Sequence, residues 1–377
     1  MSNVFAPSHC PRLVVKIGSA LLVDTDGNAR REWMRTVAGD MAERILAGQQ
    51  VMIVSSGAIA LGARKLSLKN GGRENLCDAQ SAAAVGQIAL SALWAELLAE
   101  KGLVAAQMLV TLDALEDRRR YLNFTATLDS LLAKGAIPVI NENDSLATDE
   151  IRFGDNDRLA ARIGQAAGAD GLILLSDVDG LYDKDPARHD TARIIREVRE
   201  MDETILAMAD DTSSIGTGTS GVGTGGMSSK LLAAKISDMA GMNMAIISGL
   251  HEHPLRRAQE GHGTIFHAQR GENRHKGWIG GLQKIRGKLH IDEGAAAAIV
   301  EGSSLLPAGI VKIEGPFSRG DAVDIIDVNG SAIARGLAEY DALDSARIIG
   351  RHSSEIEAIL GYSPRSAVVH RDRMVIL

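Results

Sequence analysis

Two lysines that stand beside glycines are the first residues of this sequence that could do chemistry. Lys16 comes near the end of the apolar run at residues 13–17, which continues directly into Gly18. Ligands of open α/β sheets collect at the carboxyl ends of strands, where a glycine lets backbone N–H groups approach a phosphate. The motif therefore fits a phosphate site. Taken alone, however, a strand-end lysine that reaches solvent is the commoner interpretation.

The second lysine, Lys230, follows a glycine-rich loop and lies one turn into a predicted helix. The residues that lead into this helix are Gly223, Thr224, Gly225, Gly226, Met227, Ser228 and Ser229. A glycine loop that enters a helix amino terminus binds anions, and the lysine would add a point charge for phosphate. A disordered surface loop is the alternative, which the low complexity of residues 212–226 also favours. A Walker P-loop is excluded, because Leu231 follows the lysine where Ser or Thr is required.

Polar side chains follow two further predicted strands. Ser55, Ser56 and Gly57 come after the apolar run that begins at residue 51, and their hydroxyls suit an anion or carboxylate as well as a helix N-cap. Four consecutive carboxamide or carboxylate residues, Asn141, Glu142, Asn143 and Asp144, follow the run at residues 137–140. Such a cluster forms either an ordinary turn or a site that binds an ammonium group and positions a polar substrate.

A third polar group precedes the helix predicted at residues 158–167. It consists of Asp155, Asn156 and Asp157, directly after Gly154. One of the aspartates could cap the helix. Two aspartates that flank an asparagine exceed what capping needs, and could orient cationic side chains or Mg²⁺-bound water near phosphates. Both interpretations stay open from the residues alone.

The elements that must position these residues alternate between short β-branched runs and longer helical patterns. Strands are predicted at residues 13–17, 51–55, 137–140, 172–175 and 245–247. Between the first two strands, Trp33, Val37, Met41 and Ile45 recur every four residues before Gly48, which indicates an amphipathic helix. Further helices are predicted at residues 81–101, 121–134, 158–167 and 228–240. This alternation indicates an α/β sandwich with a mostly parallel sheet.

The length of 377 residues favours about two domains. A polar, glycine-bearing stretch at residues 269–281 has the composition of a boundary. After it come short strands, a hairpin signal at Asn329-Gly330, and a strand-like tail at residues 367–377. We therefore predict one α/β domain at residues 1–268 and a small β-rich domain at residues 277–377.

The composition excludes several classes of protein. A formal net charge of -7 argues against a chain that mainly coats nucleic acid or an anionic membrane. Cys10 and Cys77 lack the spacing of a disulfide framework or a zinc site. Neither a signal peptide nor an apolar run of roughly 18 residues is expected, so the cytoplasm is the predicted location.

In order along the chain, these motifs resemble the amino acid kinase family, in the branch that phosphorylates glutamate and carries a carboxyl-terminal PUA domain. The matching segments are residues 14–19, 55–60, 84–87, 139–144, 154–157, 224–230 and 303–307. The resemblance covers essentially the whole chain. It implies a three-layer αβα sandwich with a mostly parallel sheet, followed by a small PUA-like β-barrel.

The resemblance also implies roles for individual residues. The glutamate-binding set would be Ser56, Asn141, Asp144 and Asn156, with Asp144 as the partner of the substrate ammonium group. The transferring phosphoryl group would be neutralised by Lys16 and Lys230, with Asp157 holding both lysines in place. Nucleotide contacts would come from Lys16, Gly18, Ser176, Asp177, Thr224, Gly225, Gly226, Met227, Ser228, Ser229 and Lys230.

The implied reaction converts ATP and L-glutamate into ADP and L-glutamyl 5-phosphate, the first step of proline biosynthesis. A carboxylate nucleophile is already ionised at neutral pH, so no general base is required. Mg²⁺ would act on the nucleotide phosphates, and no residue is predicted as a direct metal ligand. The family implies transfer of the product to glutamate-5-semialdehyde dehydrogenase, feedback inhibition by proline, and self-association.

Two alternatives remain at this stage. The first is another kinase of the same fold, which would act on acetylglutamate, aspartate or UMP. The second is an RNA-binding protein, argued from the PUA-like tail. Acidic residues slightly outnumber basic ones after residue 281, whereas nucleic-acid binders usually carry a basic patch or stripe. The charge of the tail therefore argues against nucleic acid as a partner.

Overall fold

A computed structural model describes residues 4–24, 26–146, 156–186, 188–212, 226–269, 285–362 and 366–377. The chain divides into two compact units, Met1–Arg270 and Gly271–Leu377. The polar stretch predicted as a domain boundary therefore contains the division, although residues 270–284 lie outside the described part of the chain.

The amino-terminal unit contains an eight-stranded sheet. Its strands are β1 (Arg12–Ile17), β2 (Gln50–Ser55), β3 (Val104–Val110), β4 (Ala136–Glu142), β5 (Gly171–Ser176), β8 (Glu197–Val198), β9 (Asn243–Ser248) and β10 (Thr264–Phe266), while β6 (Leu181–Tyr182) and β7 (Ile194–Ile195) form a separate pair. The order across the sheet is β3-β4-β2-β1-β5-β9-β10-β8. All neighbours are parallel except β9 and β10. The mostly parallel sheet is thus confirmed.

Strand β1 lies in the middle of this sheet and is buried on both faces. Successive side chains of a strand point to opposite faces, so Leu13, Val15 and Ile17 join the hydrophobic cluster of one face and Val14 joins that of the other. A parallel strand covered on both sides is expected to be apolar nearly throughout. Lys16 interrupts the run on the face of Val14, which gives this lysine a defined direction.

Helices cover both faces of the sheet. They are α1 (Ser19–Leu22), α2 (Arg31–Leu46), α3 (Ala58–Lys65), α4 (Leu76–Ala99), α5 (Leu112–Glu116), α6 (Arg118–Ala133), α7 (Asn156–Ala166), α8 (Glu203–Thr212), α9 (Met227–Met239) and α10 (Pro254–Gln259). The cluster on one face includes side chains of α2, α4 and α10, and the cluster on the other includes side chains of α5, α6, α7 and α9. The predicted three-layer αβα sandwich is confirmed.

The five predicted strands and five predicted helices are present, with ends that shift by up to five residues. The largest shift is at α4, which begins at Leu76 because the Asn75 side chain caps it by accepting from the Asp78 amide. Strand β3 was not predicted. It is an edge strand of the sheet and contains two alanines, so the alternation of apolar and polar residues is weak.

Helix α4 corrects the expectation that no apolar run reaches membrane length. It is 24 residues long and contains an 18-residue window with a mean hydropathy of 1.5, and among the described residues it is the one helix that is long and apolar enough to cross a membrane. Its side chains Leu90, Trp94, Leu97 and Leu98 lie in the hydrophobic core of the amino-terminal unit. One face of α4 therefore packs into the core, whereas apolar Ile88 on the same helix is exposed.

Helices α3 and α4 cross at a pair of glycines. A Cβ atom on Gly62 would lie 1.7 Å from the Ala82 carbonyl oxygen, and one on Gly86 would lie 1.8 Å from the Ala58 carbonyl oxygen. Such distances leave no room for any side chain, so the two backbones touch at this crossing. The glycines thereby set the distance between the two helices.

The carboxyl-terminal unit has its own mixed sheet and hydrophobic core. Its strands are β11 (Gly287–Ile291), β12 (Ile310–Glu314), β13 (Ala322–Ile326), β14 (Ala332–Ala338) and β15 (Val369–Ile376), in the order β12-β11-β13-β14-β15. Its helices are α11 (Glu293–Val300), α12 (Ala342–Ile348) and α13 (Ile356–Leu360). Strands β13 and β14 are antiparallel around Gly330, whose φ is 84°, so the predicted hairpin is confirmed.

Candidate active site

The carboxyl ends of β1, β2, β4, β5 and β9 meet at one edge of the sheet, because these strands are parallel. Backbone hydrogen bonds hold the residues that follow β1 and β2 in register. The Gly18 amide donates to the Leu175 carbonyl at 3.2 Å, and the Ser56 amide donates to the Ile17 carbonyl at 3.2 Å. The polar motifs found in the sequence are thereby brought to one crevice.

At the centre of this edge lies a buried carboxylate between two lysines. Lys16 Nζ is 2.5 Å from Asp157 Oδ1, and Lys230 Nζ is 3.1 Å from Asp157 Oδ2. All three residues are buried. The structure therefore unites the three residues predicted to act on the phosphoryl group, although 141 and 73 positions separate Lys16 and Lys230 from Asp157 (157 minus 16, and 230 minus 157).

The fold explains how this cluster forms. Lys16 points to the sheet face that is covered by α7 and α9, Asp157 is the second residue of α7, and Lys230 is the fourth residue of α9. Burial raises the pKa of Asp157, but the two lysines outweigh it and hold that pKa at about 2. The carboxylate is thus ionised at neutral pH. With both lysines charged, the cluster carries one net positive charge, which favours an anionic phosphoryl group.

A chain of hydrogen-bonded carboxamides begins at Asn156, directly before Asp157 in α7. Asn156 Nδ2 donates to Ser56 Oγ at 2.7 Å and to Asn141 Oδ1 at 3.2 Å. Asn141 Nδ2 then donates to Gln87 Oε1 at 2.8 Å, and Gln87 Nε2 donates to Ser91 Oγ at 3.1 Å. We call Ser56, Asn156, Asn141, Gln87 and Ser91 the carboxamide chain. It connects three of the four residues predicted to bind substrate.

Asn156 retains one polar atom for a ligand. Its Oδ1 is buried and accepts no hydrogen bond within the part of the chain that the structure describes. A buried acceptor without a donor costs free energy, so a donor supplied by a ligand would stabilise this arrangement. A substrate ammonium group would supply that donor.

Asp144 provides a negative charge at the same edge. It begins a short 3₁₀ turn, Asp144–Leu146, one residue after the end of β4, and is 9% exposed. Burial raises its pKa to about 6, while the positive charge of Arg73 opposes that rise. Burial in turn lowers the pKa of Arg73, which Asp144 counteracts. A substrate ammonium group would add a second positive charge and favour the ionised form of Asp144.

This pKa predicts how substrate binding depends on pH. Below about pH 6 the Asp144 carboxylate takes up a proton and loses its attraction for an ammonium group. We expect the KM for the amino-acid substrate to rise by about tenfold per pH unit below that value and to be nearly constant above it. Initial rates measured between about pH 5 and pH 8 would test this. A KM that does not change over this range would contradict the assignment of Asp144.

Residues predicted to contact nucleotide lie at the carboxyl end of β5 and at the start of α9. Ser176 ends β5 and its Oγ donates to Asp177 Oδ1 at 3.0 Å. Gly226 precedes α9, and Met227, Ser228 and Ser229 form its first turn. The first turn of a helix directs N–H groups and a partial positive charge towards anions. Thr224, Gly225 and Asp155 lie outside the described residues.

Three residues that the sequence interpretation gave no role contribute to the site. Gln87 ends the motif at residues 84–87 and is part of the carboxamide chain. The positive charge of Arg73 acts on Asp144 and lowers its pKa. Trp94 Nε1 donates to Ser55 Oγ at 3.0 Å, so the Ser55 hydroxyl is bound inside the fold and Ser56 is the serine of the site. The signal for Gln87 was present, since it is a carboxamide within an apolar helix.

The site offers little to a metal ion directly. Within the described part of the chain, no group of three or more His, Cys, Asp or Glu side chains lies close enough together to hold one. Asp157, the buried carboxylate at the centre, has its oxygens engaged by two ammonium groups.

Comparison with known proteins identifies this arrangement. The family model for the amino acid kinase family matches residues 11–248, and the model for the PUA domain matches residues 287–360. The chain therefore belongs to the amino acid kinase family and carries a PUA domain after the kinase part.

Within that family, the chain is similar over its full length to glutamate 5-kinases. The glutamate 5-kinase of Novosphingobium aromaticivorans is 58% identical over 378 residues, which cover 100% of this chain and 99% of that protein. The glutamate 5-kinase of Sphingopyxis alaskensis is 56% identical over 375 residues, which cover 100% of both chains.

Proposed function

We propose that this protein transfers the γ-phosphoryl group of ATP to the side-chain carboxylate of L-glutamate and releases L-glutamyl 5-phosphate, the first step of proline biosynthesis. The observation that carries the proposal is the full-length similarity to glutamate 5-kinases. The buried cluster of Lys16, Asp157 and Lys230 supports it, because phosphoryl transfer depends on positioning and charge stabilisation more than on covalent chemistry.

The two sides of the crevice take different substrates in this proposal. Ser56, Asn141, Asp144 and Asn156 hold glutamate, with the ammonium group between Asp144 and Asn156 Oδ1. Lys16, Gly18, Ser176, Asp177 and the residues from Thr224 to Lys230 hold ATP, with Mg²⁺ carried on its phosphates. Bound Mg²⁺ would supply further neutralisation of phosphate charge. The two lysines stabilise the charge of the transferring group, and Asp157 fixes their positions.

The product sets the surroundings in which the enzyme works. An acyl phosphate hydrolyses readily in water, so we propose prompt use by glutamate-5-semialdehyde dehydrogenase in the cytoplasm. Proline is proposed as a feedback inhibitor and the enzyme as a homo-oligomer. The kinase domain is proposed to span residues 1–268 and the PUA-like domain residues 277–377, with no nucleic acid or membrane as a partner.

A substrate panel tests the proposed function. ADP release should be measured with purified protein, ATP and Mg²⁺ in the presence of glutamate, aspartate, acetylglutamate or UMP. We expect kcat/KM for glutamate to exceed every other value by about a hundredfold or more, because the others lack either the charge or the length that the crevice requires. An acyl phosphate trapped as a hydroxamate would confirm the acceptor. Preference for any other substrate would contradict the proposal.

A further inference from the structure

The motif at residues 84–87 belongs to the family resemblance, yet the proposed function gives it no part. Its last residue, Gln87, lies on α4 and is 9% exposed. A buried carboxamide in an apolar helix is costly unless its hydrogen bonds are satisfied. Both ends of Gln87 are satisfied, one by Asn141 and the other by Ser91. This buried glutamine is therefore bonded directly to a residue of the substrate side.

The direction of the hydrogen bonds gives Gln87 its importance. A carboxamide exchanges its donor and acceptor when it rotates by 180°, so linked carboxamides can be ordered in either of two directions. In this structure the donors point from Asn156 to Asn141, from Asn141 to Gln87, and from Gln87 to Ser91. In this direction the Asn156 Oδ1 atom stays buried and accepts no hydrogen bond from the described residues. The reverse direction would present its NH₂ group, which repels an ammonium group.

We propose that Gln87 is a positioning residue that sets this direction, and thereby the hydrogen-bond acceptor that Asn156 offers to the substrate ammonium group. Gln87 acts through Asn141 and makes no substrate contact itself. The inference rests on the proposed function, because it assumes that the amino-acid substrate occupies the side of the crevice lined by Asn156.

The crossing of α3 and α4 holds both ends of the carboxamide chain in place. Gly86, directly before Gln87, lies against the backbone of Ala58 at the start of α3. Ser56 lies just before α3, separated from Ala58 only by Gly57. This close contact between α3 and α4 thus fixes the distance between Gln87 and Ser56, which Asn141 and Asn156 must bridge. Over this fixed distance, the acceptor that Gln87 presents to Asn141 Nδ2 sets the direction of the hydrogen bonds between the two asparagines.

Two substitutions at Gln87 separate this role from simple packing. Gln87→Met keeps the length of the side chain but removes the acceptor for Asn141, so we expect the KM for glutamate to rise by about tenfold. Gln87→Glu, assayed at alkaline pH, retains an acceptor and cannot donate to Asn141, so it enforces the observed direction. We expect this variant to keep the KM within about threefold of the wild-type value. For both variants, kcat and the KM for ATP should stay within about threefold.

A double-mutant cycle tests whether the effect passes through Asn141. In an Asn141→Ala background, Gln87→Met should produce no further rise in the KM for glutamate, because the amide that it orients is absent. Gln107→Met, at an exposed position of β3 outside the carboxamide chain, provides the control, and its KM should equal that of the wild type. Thermal unfolding of each variant shows whether the fold is retained.

Several outcomes would overturn the inference. An unchanged KM in folded Gln87→Met, an equal rise in Gln87→Glu and Gln87→Met, or full additivity with Asn141→Ala would each refute it. If Gln87→Met does not fold, a tenfold KM rise in Gln87→Glu would also refute it. Failure of the proposed function is distinguishable, because then the wild-type enzyme itself would not phosphorylate glutamate.

Discussion

Lys230→Met is expected to lower kcat by about a hundredfold or more and to leave the KM for glutamate nearly unchanged. Lys230 Nζ lies 3.1 Å from Asp157 Oδ2 in a buried cluster whose net charge is positive only while both lysines are present. Removing one lysine leaves a neutral pair, which stabilises the charge of the transferring phosphoryl group far less. Steady-state rates with each substrate varied in turn would measure the effect.

Lys235→Met is the matched control for that experiment. Lys235 lies on the same helix, α9, but its side chain is exposed. Both substitutions remove one positive charge and keep a side chain of similar length, so any difference between them reflects position. Equal turnover in Lys230→Met and in the wild type would refute the role assigned to Lys230, and equal losses in the two variants would point to a general charge effect.

Asp144→Asn is expected to raise the KM for glutamate by roughly a hundredfold while kcat changes little. The attraction between Asp144 and the substrate ammonium group exists in both the ground state and the transition state, so it contributes mainly to uniform binding. Its loss also leaves the positive charge of Arg73 without its opposite charge, and that charge would repel the ammonium group. The rise in KM below about pH 6 should disappear in this variant.

Glu74→Gln serves as the control for Asp144→Asn. Glu74 stands next to Arg73 in the sequence and is exposed, so its substitution removes a nearby charge that water screens. We expect a KM within about twofold of the wild-type value. If Asp144→Asn instead weakens ATP binding and spares glutamate binding, the two substrates have been assigned to the wrong sides of the crevice.

The fold could be predicted from the sequence wherever burial is complete. Strands β1, β2, β4, β5 and β9 are buried along nearly their whole length and read as continuous apolar runs. Edge strand β3 and the two-residue strands could not be predicted, because their pairing depends on neighbours that are distant in the sequence. Predicting that α4 starts at Leu76 would have required knowledge of the capping hydrogen bond at Asn75.

Local patterns predicted the residue types of the candidate site, whereas the contact of Asp157 with both lysines was implied only by the family resemblance. The glycines beside Lys16 and Lys230 indicated a phosphate site. Nothing in the spacing of the two lysines along the sequence indicated that Asp157 binds both. The distinction between Ser55 and Ser56 depends on Trp94, whose indole lies on another element. The parts that Gln87 and Arg73 take in the site follow only from the positions of α4 and of the segment before it. Contacts across the fold are fixed by topology, which local patterns do not contain.

The glycine pair at the crossing of α3 and α4 has a consequence for anyone who would evolve this enzyme towards a new substrate. Cβ atoms at Gly62 and Gly86 would lie within 2 Å of carbonyl oxygens, so a library that varies these two positions would consist mostly of inactive clones. The positions to vary are instead those whose side chains line the crevice, because a substitution there does not push two helix backbones apart. Selection can therefore change the substrate range through the side chains that line the crevice, but not through the glycines at the crossing of α3 and α4.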